Sequence, residues 1–395
     1  MVDTLPNPLG FVHKILNRFG PRRAGSPAER QAQEWLAAYL SDIPGVNVKL
    51  QEFRAPLRAK FASSRLIWPL FWLSLGLAFF GNSPFAAFSL AFPTAVAFFL
   101  HFVSYRHILD FLYRRHSSLN VFASLEPLEP PCQTIILSGH MDSTPEFIWW
   151  YLLGQFSASW MVLSGALLIL WPLHLLILLL GQISFSGPHL LFSGILYSLA
   201  AAGGVPFVFI HGRRVVPGAQ DNLSGVACAL AVFEGMARNG PLRRSRLVLA
   251  SFGAEETGLR GSHYFVRQAL HYFPEGQIIN LNLDGILLKD HLNFITAEPS
   301  IWVRHHKELI QRVRASFEKV GIQTGTGPLL IGATDGASFA RAGYPSLTLV
   351  GLPLDRLHPT YHTRRDTLEQ LDEQCLHTVC QGLLQAIRDL DDNPF

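Results

Sequence analysis

A chain of 395 residues is long enough to bury one large core or two ordinary ones. Charged residues make up only 15% of it, against roughly 25% in soluble domains, and mean hydropathy is positive, which excludes a wholly water-facing protein. A net charge of +3 with no long basic run gives no support for nucleic acid as a partner, and Cys132, Cys228, Cys375 and Cys380 lack the spacing of a thiolate metal site or a disulfide framework.

Met1 to Pro8 has no basic stretch leading into an apolar core, so no secretory leader is expected there. Ser26-Pro27-Ala28-Glu29 reads as a capping box with proline at the first helical position, predicting a helix from Pro27 to Ser41, followed by a strand from Val46 to Phe53. Leu66 to Phe80 and Phe85 to Val103 then contain no charged residue and are separated only by Gly81-Asn82-Ser83-Pro84, the pattern of a membrane hairpin. A second apolar region runs from Phe147 to Ile210, with Ala158 to Leu180 and Leu190 to Ile210 as its best spans and Gln182 to His189 as a polar break. These last two measure roughly 34 and 31 Å as helices, enough to cross a hydrocarbon layer of about 30 Å.

Arg54, Arg58, Lys60 and Arg65 precede the first hairpin, Arg106, Arg114 and Arg115 follow it, and Arg213 and Arg214 follow the second, whereas neither connecting turn holds Lys or Arg. The positive-inside rule predicts a multi-pass integral membrane protein, with the lipid bilayer as a partner and every polar segment on the cytoplasmic side. The predicted division is one soluble domain in three pieces, 1–62, 106–146 and 212–395, interrupted by hairpins at 63–105 and 147–211.

In the soluble pieces, strand-like runs at Asn120 to Leu125, Thr134 to Ser138, Ser245 to Phe252, Ile278 to Leu283, Leu292 to Thr296 and Ser346 to Gly351 alternate with helical patterns. The helices are predicted at Leu223 to Asn239, Gly258 to Tyr272, Ile301 to Lys319, Thr334 to Ala342 and Leu368 to Leu390. Such alternation predicts an α/β sandwich with a mostly parallel sheet, in which ligands gather beyond the carboxyl ends of the strands. His140 and Asp142, Glu255 and Glu256, and Asp284 each follow a predicted strand, His362 lies on the loop after the last one, and Asp221 stands at the mouth of a helix. Hard carboxylate oxygens and imidazole nitrogens gathered this way suit zinc or a similar divalent ion, although Asp221 is also an ordinary helix cap by type.

The set Ser138-Gly139-His140-Met141-Asp142-Ser143, Asp221-Asn222-Leu223-Ser224-Gly225, Glu255-Glu256, Asn282-Leu283-Asp284 and His362-Thr363-Arg364-Arg365-Asp366-Thr367 closely resembles the zinc aminopeptidases of the M28 peptidase family. The resemblance runs from about Gly20 to the C-terminal helix, leaving out the hairpins. It implies a three-layer α/β/α zinc-exopeptidase fold, peptide substrates and two Zn²⁺. One ion would be held by His140 and Asp284, the other by Glu256 and His362, with Asp221 bridging them. Three ligating carboxylates and a hydroxide would balance four positive charges. Glu255 would be the general base, and Asp142 would hold the far N–H of the His140 ring.

Thr334-Asp335-Gly336 resembles a family loop whose third position is often histidine; with glycine there, Asp335 is expected to cap a helix. His263, His305, His306 and His358 are expected at the surface or in packing, and Arg364 and Arg365 could neutralise a substrate carboxylate. The same metal set would serve an aminopeptidase, a carboxypeptidase or a dipeptidase; a glutaminyl cyclase and a non-catalytic membrane scaffold are the further alternatives, the first opposed by His140 and the second by an intact Glu255. The sequence sets no oligomeric state.

Overall fold

The structure, a computed structural model, describes residues 5–181 and 187–395. Met1 to Thr4 of the segment read as leaderless and Gln182 to Ser186 of the expected polar break lie outside the described residues. The chain divides into two compact units, a sheet unit of Met1–Leu57, Arg115–Glu146 and Arg213–Phe395 and a helical unit of Arg58–Arg114 and Phe147–Gly212.

The strands in chain order are β1 Val46–Ala55, β2 His116–Leu125, β3 Gln133–His140, β4 Pro145–Phe147, β5 His211–Val215, β6 Ser245–Phe252, β7 Gln277–Leu283, β8 Leu292–Glu298, β9 Val303–Arg304, β10 Gly325–Pro328 and β11 Ser346–Gly351. Among the described residues β4 and β5 form a separate ladder; the others make one sheet in the order β1-β2-β6-β3-β7-β11-β8-β10, with β9 added to β8. The four middle strands, β6, β3, β7 and β11, are mutually parallel, as strand–helix alternation predicts. Antiparallel pairs flank them, β1 with β2, β2 with β6 and β11 with β8, and β10 adds a further parallel pair to β8. β8 follows β7 after only a 3-10 turn, too short a connection for a crossover, and therefore runs back in the opposite sense.

Alternation along these strands builds both faces. Ile135, Leu137, Leu247, Leu249, Ile279 and Leu281 pack on the side covered by helices Pro8–Phe19, Pro27–Ser41, Ser224–Asn239, Lys307–Lys319 and Glu373–Asp392. Their neighbours Ile136, Val248, Ala250 and Ile278 turn the other way, against Phe265 and Phe339 of helices Arg260–Val266 and Asp335–Arg341. With helices on both faces, the fold is a mixed α/β sandwich around a large central sheet.

The helix predicted from Ile301 begins only at Lys307, because Trp302 takes a left-handed φ of 56° and β9 intervenes. That predicted from Gly258 to Tyr272 is broken into Arg260–Val266 and Ala269–Tyr272, and the last helix starts at Glu373 rather than Leu368, where a 3-10 turn stands. The helix Pro8–Phe19, capped by the Asn7 side chain, and the strand β10 were not predicted.

In the helical unit, Ala59–Phe79, Pro84–Val103, Gln155–Leu180 and Leu191–Val208 are, among the described residues, four apolar helical segments long enough to cross a membrane. They close on an aromatic core in which Trp68 stacks on Phe207 at 5.0 Å and Trp171 on Phe79 at 5.9 Å. Their outer faces stay apolar: Leu73, Phe92, Leu163, Ile177, Phe192 and Leu199 are all exposed, as side chains facing lipid would be.

Candidate metal centre

The register of the parallel strands sets up the site. Ser138 on β3 lies level with Asn282 on β7 and Ala250 on β6, so His140, Asp284 and the turn after Phe252 emerge side by side at the carboxyl edge. Asp221 comes from the opposite quarter, on a bend with φ −115° and ψ 90° just before helix Ser224–Asn239; its peptide bond to Asn222 is cis. The Asn222 side chain fastens this bend to the end of β7, donating to the Leu283 carbonyl at 2.8 Å and accepting from the N–H groups of Gly225 at 3.1 Å and Gly285 at 3.2 Å. Glycine is required at 225, since a Cβ there would stand 2.5 Å from the Leu283 carbonyl oxygen.

The side chains meet in two groups, His140 with Glu255 and Asp284, and Asp221 with Glu256 and His362, the potential ligand atoms of each lying within 4.8 Å of one another. Asp221 joins them: Oδ1 is 3.2 Å from His140 Nε2 and Oδ2 is 3.1 Å from His362 Nε2. His362, in the left-handed region at φ 53°, also approaches Glu256 Oε2 at 3.2 Å and has the Tyr361 ring stacked on it at 3.8 Å. His140 Nε2 lies 3.7 Å from Glu255 and 3.9 Å from Asp284. All seven residues singled out in the sequence therefore meet in one place, six of them buried and Asp284 partly exposed.

Asp142 is used differently from the expectation. His140 Nδ1 lies 3.1 Å from the Asp142 main-chain carbonyl and 3.5 Å from its carboxylate, whose closer bonds go to the N–H groups of Glu255 at 3.0 Å and Glu256 at 3.2 Å. The carboxylate thus holds the Glu255-Glu256 turn as well as the histidine.

The electrostatics suit a cation. Burial, with repulsion from neighbouring carboxylates, pushes Glu255, Glu256 and Asp284 well above the carboxylate range. Burial likewise opposes ionisation of Asp221 and His140, but their mutual hydrogen bond, His362 for the former and Glu255 for the latter prevail, lowering the acid and raising the base. Glu256 Oε1 is buried with no hydrogen-bond partner. Three carboxylates, Asp221, Glu256 and Asp284, and two imidazoles, with an orphaned oxygen on Glu256, form the donor set expected for zinc, and the residues fit such an ion.

Two further carboxylates had no role at the site assigned from the sequence. Asp366 accepts the N–H groups of Gln220 at 2.6 Å and Asp221 at 3.2 Å, and burial lifts its pKa to about 7. Glu29 does not complete its capping box; it accepts from Gly25 at 2.6 Å, Ser118 at 2.9 Å and the Ala254 N–H at 2.9 Å, one residue before Glu255. Only its place in the His362-to-Asp366 motif could have pointed to Asp366; for Glu29 the helix signal concealed the longer reach.

Two expectations, for Asp335 and Arg364, need correction. Asp335 caps nothing: it is fully buried, its carboxylate takes no hydrogen bond from its helix, and burial raises its pKa to about 7 against the pull of His140. His305 is a buried packing residue, as expected, with its Nε2 2.9 Å from buried Glu298, which also takes the Thr334 N–H. Arg364 is committed to Glu146 by two side-chain bonds of 2.7 and 2.6 Å and a backbone bond of 3.0 Å, which removes it as a carboxylate receptor for substrate.

Comparison with known proteins bears on this geometry. Residues 204–387 match the model of Peptidase family M28. Aminopeptidase YwaD of Bacillus subtilis (strain 168) is 26% identical over 202 residues, covering 49% of this chain and 40% of that protein, so the match spans less than half of the relative's length. Among solved structures, the zinc aminopeptidase BSAP from Bacillus subtilis superposes with a TM-score of 0.58 at 15% identity, covering 97% of this chain and 95% of the other. A glutaminyl cyclase from Fimbriiglobus ruber gives 0.57 at 14% identity, over 97% of this chain and 94% of the other. At such identities these likenesses establish the fold.

Proposed function

We propose that this chain is a membrane-anchored exopeptidase with a dinuclear zinc site, removing N-terminal residues from peptides, its sheet unit on the cytoplasmic side. The observation that carries the reading is the Asp221 carboxylate, with one oxygen 3.2 Å from His140 and the other 3.1 Å from His362, the disposition of a bridging ligand between two ligand groups. His140 and Asp284 would hold one ion, Glu256 and His362 the other. When bound, such a pair acidifies water and polarises the scissile carbonyl.

The remaining work falls to protein groups. Glu255 lies in the pocket beside His140 and takes the proton of the attacking water, then delivers it to the departing amine nitrogen. Asp142 keeps the Glu255-Glu256 turn rigid through its two N–H bonds, so that ligand and base diverge from adjacent positions. The basic flanks of the apolar helices support the orientation, and their exposed apolar faces support bilayer anchoring.

The test is zinc content together with hydrolysis of an aminoacyl chromogenic amide by wild type and Glu255→Gln. Zinc in both with turnover only in wild type is expected; zinc-loaded wild type that cyclises N-terminal glutamine without releasing an amino acid would instead establish the glutaminyl cyclase reading, which the Fimbriiglobus ruber structure makes the main alternative. Digestion of a peptide mixture, read by mass spectrometry, separates trimming at the N-terminus from trimming at the C-terminus and from dipeptide cleavage.

A further inference from the structure

Beneath the two ligand groups lies a buried arginine whose hydrogen bonds reach the loops that carry them. Arg22, on the turn between helices Pro8–Phe19 and Pro27–Ser41, is fully buried. Its Nε donates to the Met141 carbonyl at 2.8 Å and its second terminal nitrogen to the Gly218 carbonyl at 3.1 Å, while the first stays on its own turn at Gly20, 2.6 Å away. Met141 is the residue after His140, and Gly218 lies three before Asp221. The backbone strengthens the join: Arg22 N–H donates to Ser143 Oγ at 3.0 Å, the Ser143 N–H returns to the Arg22 carbonyl at 3.0 Å, and Ser143 Oγ donates to Val216 at 2.9 Å.

We propose that Arg22 is a positioning residue of the metal site, a planar fork that sets the spacing between the His140 loop and the Asp221 bend. The inference rests on the metal-site reading above. Three carboxylates close by, Glu29, Asp142 and Asp366, each accept two backbone N–H groups from loops around the site, and Arg22 is the buried cation among them. Burial lowers its pKa only to about 10, so it is charged at neutral pH. Its two long-range bonds take carbonyls of the His140 loop and the Asp221 bend, while Asp366 takes two N–H groups of that bend and Asp142 and Glu29 take those of the Glu255 turn. A lysine would keep the charge yet could not bond both carbonyls along these directions, because its ammonium is a point and not a fork.

The experiment compares full-length wild type, Arg22→Lys and Arg22→Met, with Arg246→Lys as a control. Arg246 is another largely buried arginine of the sheet unit, bonded to Glu126 and Glu275 away from the ligands. Zinc affinity is measured by competition with a chromophoric chelator, and the cobalt-substituted forms are compared by absorption spectrum. Arg22→Lys is expected to fold, to bind zinc roughly 10- to 100-fold more weakly and to show a changed cobalt band, the loss typical when a group that orients metal ligands is removed. Arg246→Lys should lower the melting temperature and leave both readouts in place. Wild-type affinity and spectrum in Arg22→Lys would overturn the proposal, with Arg22→Met, where it folds, expected to agree. Wild type that binds no zinc would refute the metal site itself, a separate failure.

Discussion

Asp221 and Glu255 sit within one site, yet substituting them should have opposite thermodynamic signatures. Asp221→Asn preserves shape and the two backbone bonds to Asp366, but replaces an anionic oxygen by a neutral amide between His140 and His362. Glu255→Gln removes a carboxylate that the proposed site uses for proton transfer and not as a ligand. A ligand that binds only the folded state stabilises it by about 2.7 kcal/mol at a concentration one hundred times its dissociation constant, so two zinc sites would supply about 5 kcal/mol. For a unit of this size, where 1 kcal/mol moves the midpoint by about 2 °C, that is a rise of about 10 °C over the EDTA-treated protein. The measurement is the melting transition of the sheet unit in detergent-solubilised protein, with EDTA and then with buffered zinc. Wild type and Glu255→Gln should both show the full rise, while Asp221→Asn, weakened in both groups, should show less than about 5 °C, the share of one site. An undiminished rise in Asp221→Asn would refute the bridging role, and a lost rise in Glu255→Gln would make Glu255 a ligand.

Cys132 is exposed and the other three cysteines are buried, so a membrane-impermeant maleimide should label the chain in inverted vesicles and spare it in intact cells if the sheet unit is cytoplasmic; labelling of intact cells reverses the orientation. Glu146→Gln breaks the paired bonds to Arg364 and should cost about 2–3 kcal/mol at pH 7, somewhat below the 3–5 kcal/mol of a fully buried pair, because Arg364 is partly exposed. Burial raises the Glu146 pKa but its bonds to Arg364 outweigh this and hold it below the usual carboxylate range. A depressed folded-state pKa stabilises above the ordinary carboxylate pKa and is lost as pH falls through the folded value, so in urea titrations the variant's deficit should shrink on acidification. A deficit independent of pH would assign it to packing instead. Gly225→Ala forces a Cβ against the Leu283 carbonyl and should lower stability by about 1–3 kcal/mol in thermal melts.

Much of the fold was legible because its signals were local. The helix Pro27–Ser41 and the strands Ser245–Phe252 and Ser346–Gly351 have the bounds their sequence predicts, since a capping serine, an uninterrupted β-rich run and flanking turn residues each act within a few positions. The failures came where distant structure decides. Nothing within the run from Ile301 shows that Trp302 will turn left-handed, or that Val303 and Arg304 will leave the helix to pair with β8. β10, with two glycines and a proline in four residues, has poor strand propensity and exists because β8 offers it an edge.

The site was legible for a related reason and incomplete for another. Ligands at the ends of parallel strands inherit their positions from the strand register, so a histidine after β3 and an aspartate after β7 must stand side by side once those strands pair. The groups that hold the loops obey no such rule. Glu29 looked like a helix cap and grips the turn before Glu255, Arg22 belongs to no motif in the sequence and bonds the carbonyl after His140, and Asp335, read as a cap, lies buried with no bond to its helix. Such residues act through hydrogen bonds to main-chain atoms, which every residue possesses, so their partners leave no mark on the sequence. Metal ligands must be particular side chains; the backbone groups that position them can belong to any residue, and that asymmetry is why the first could be read and the second had to be seen.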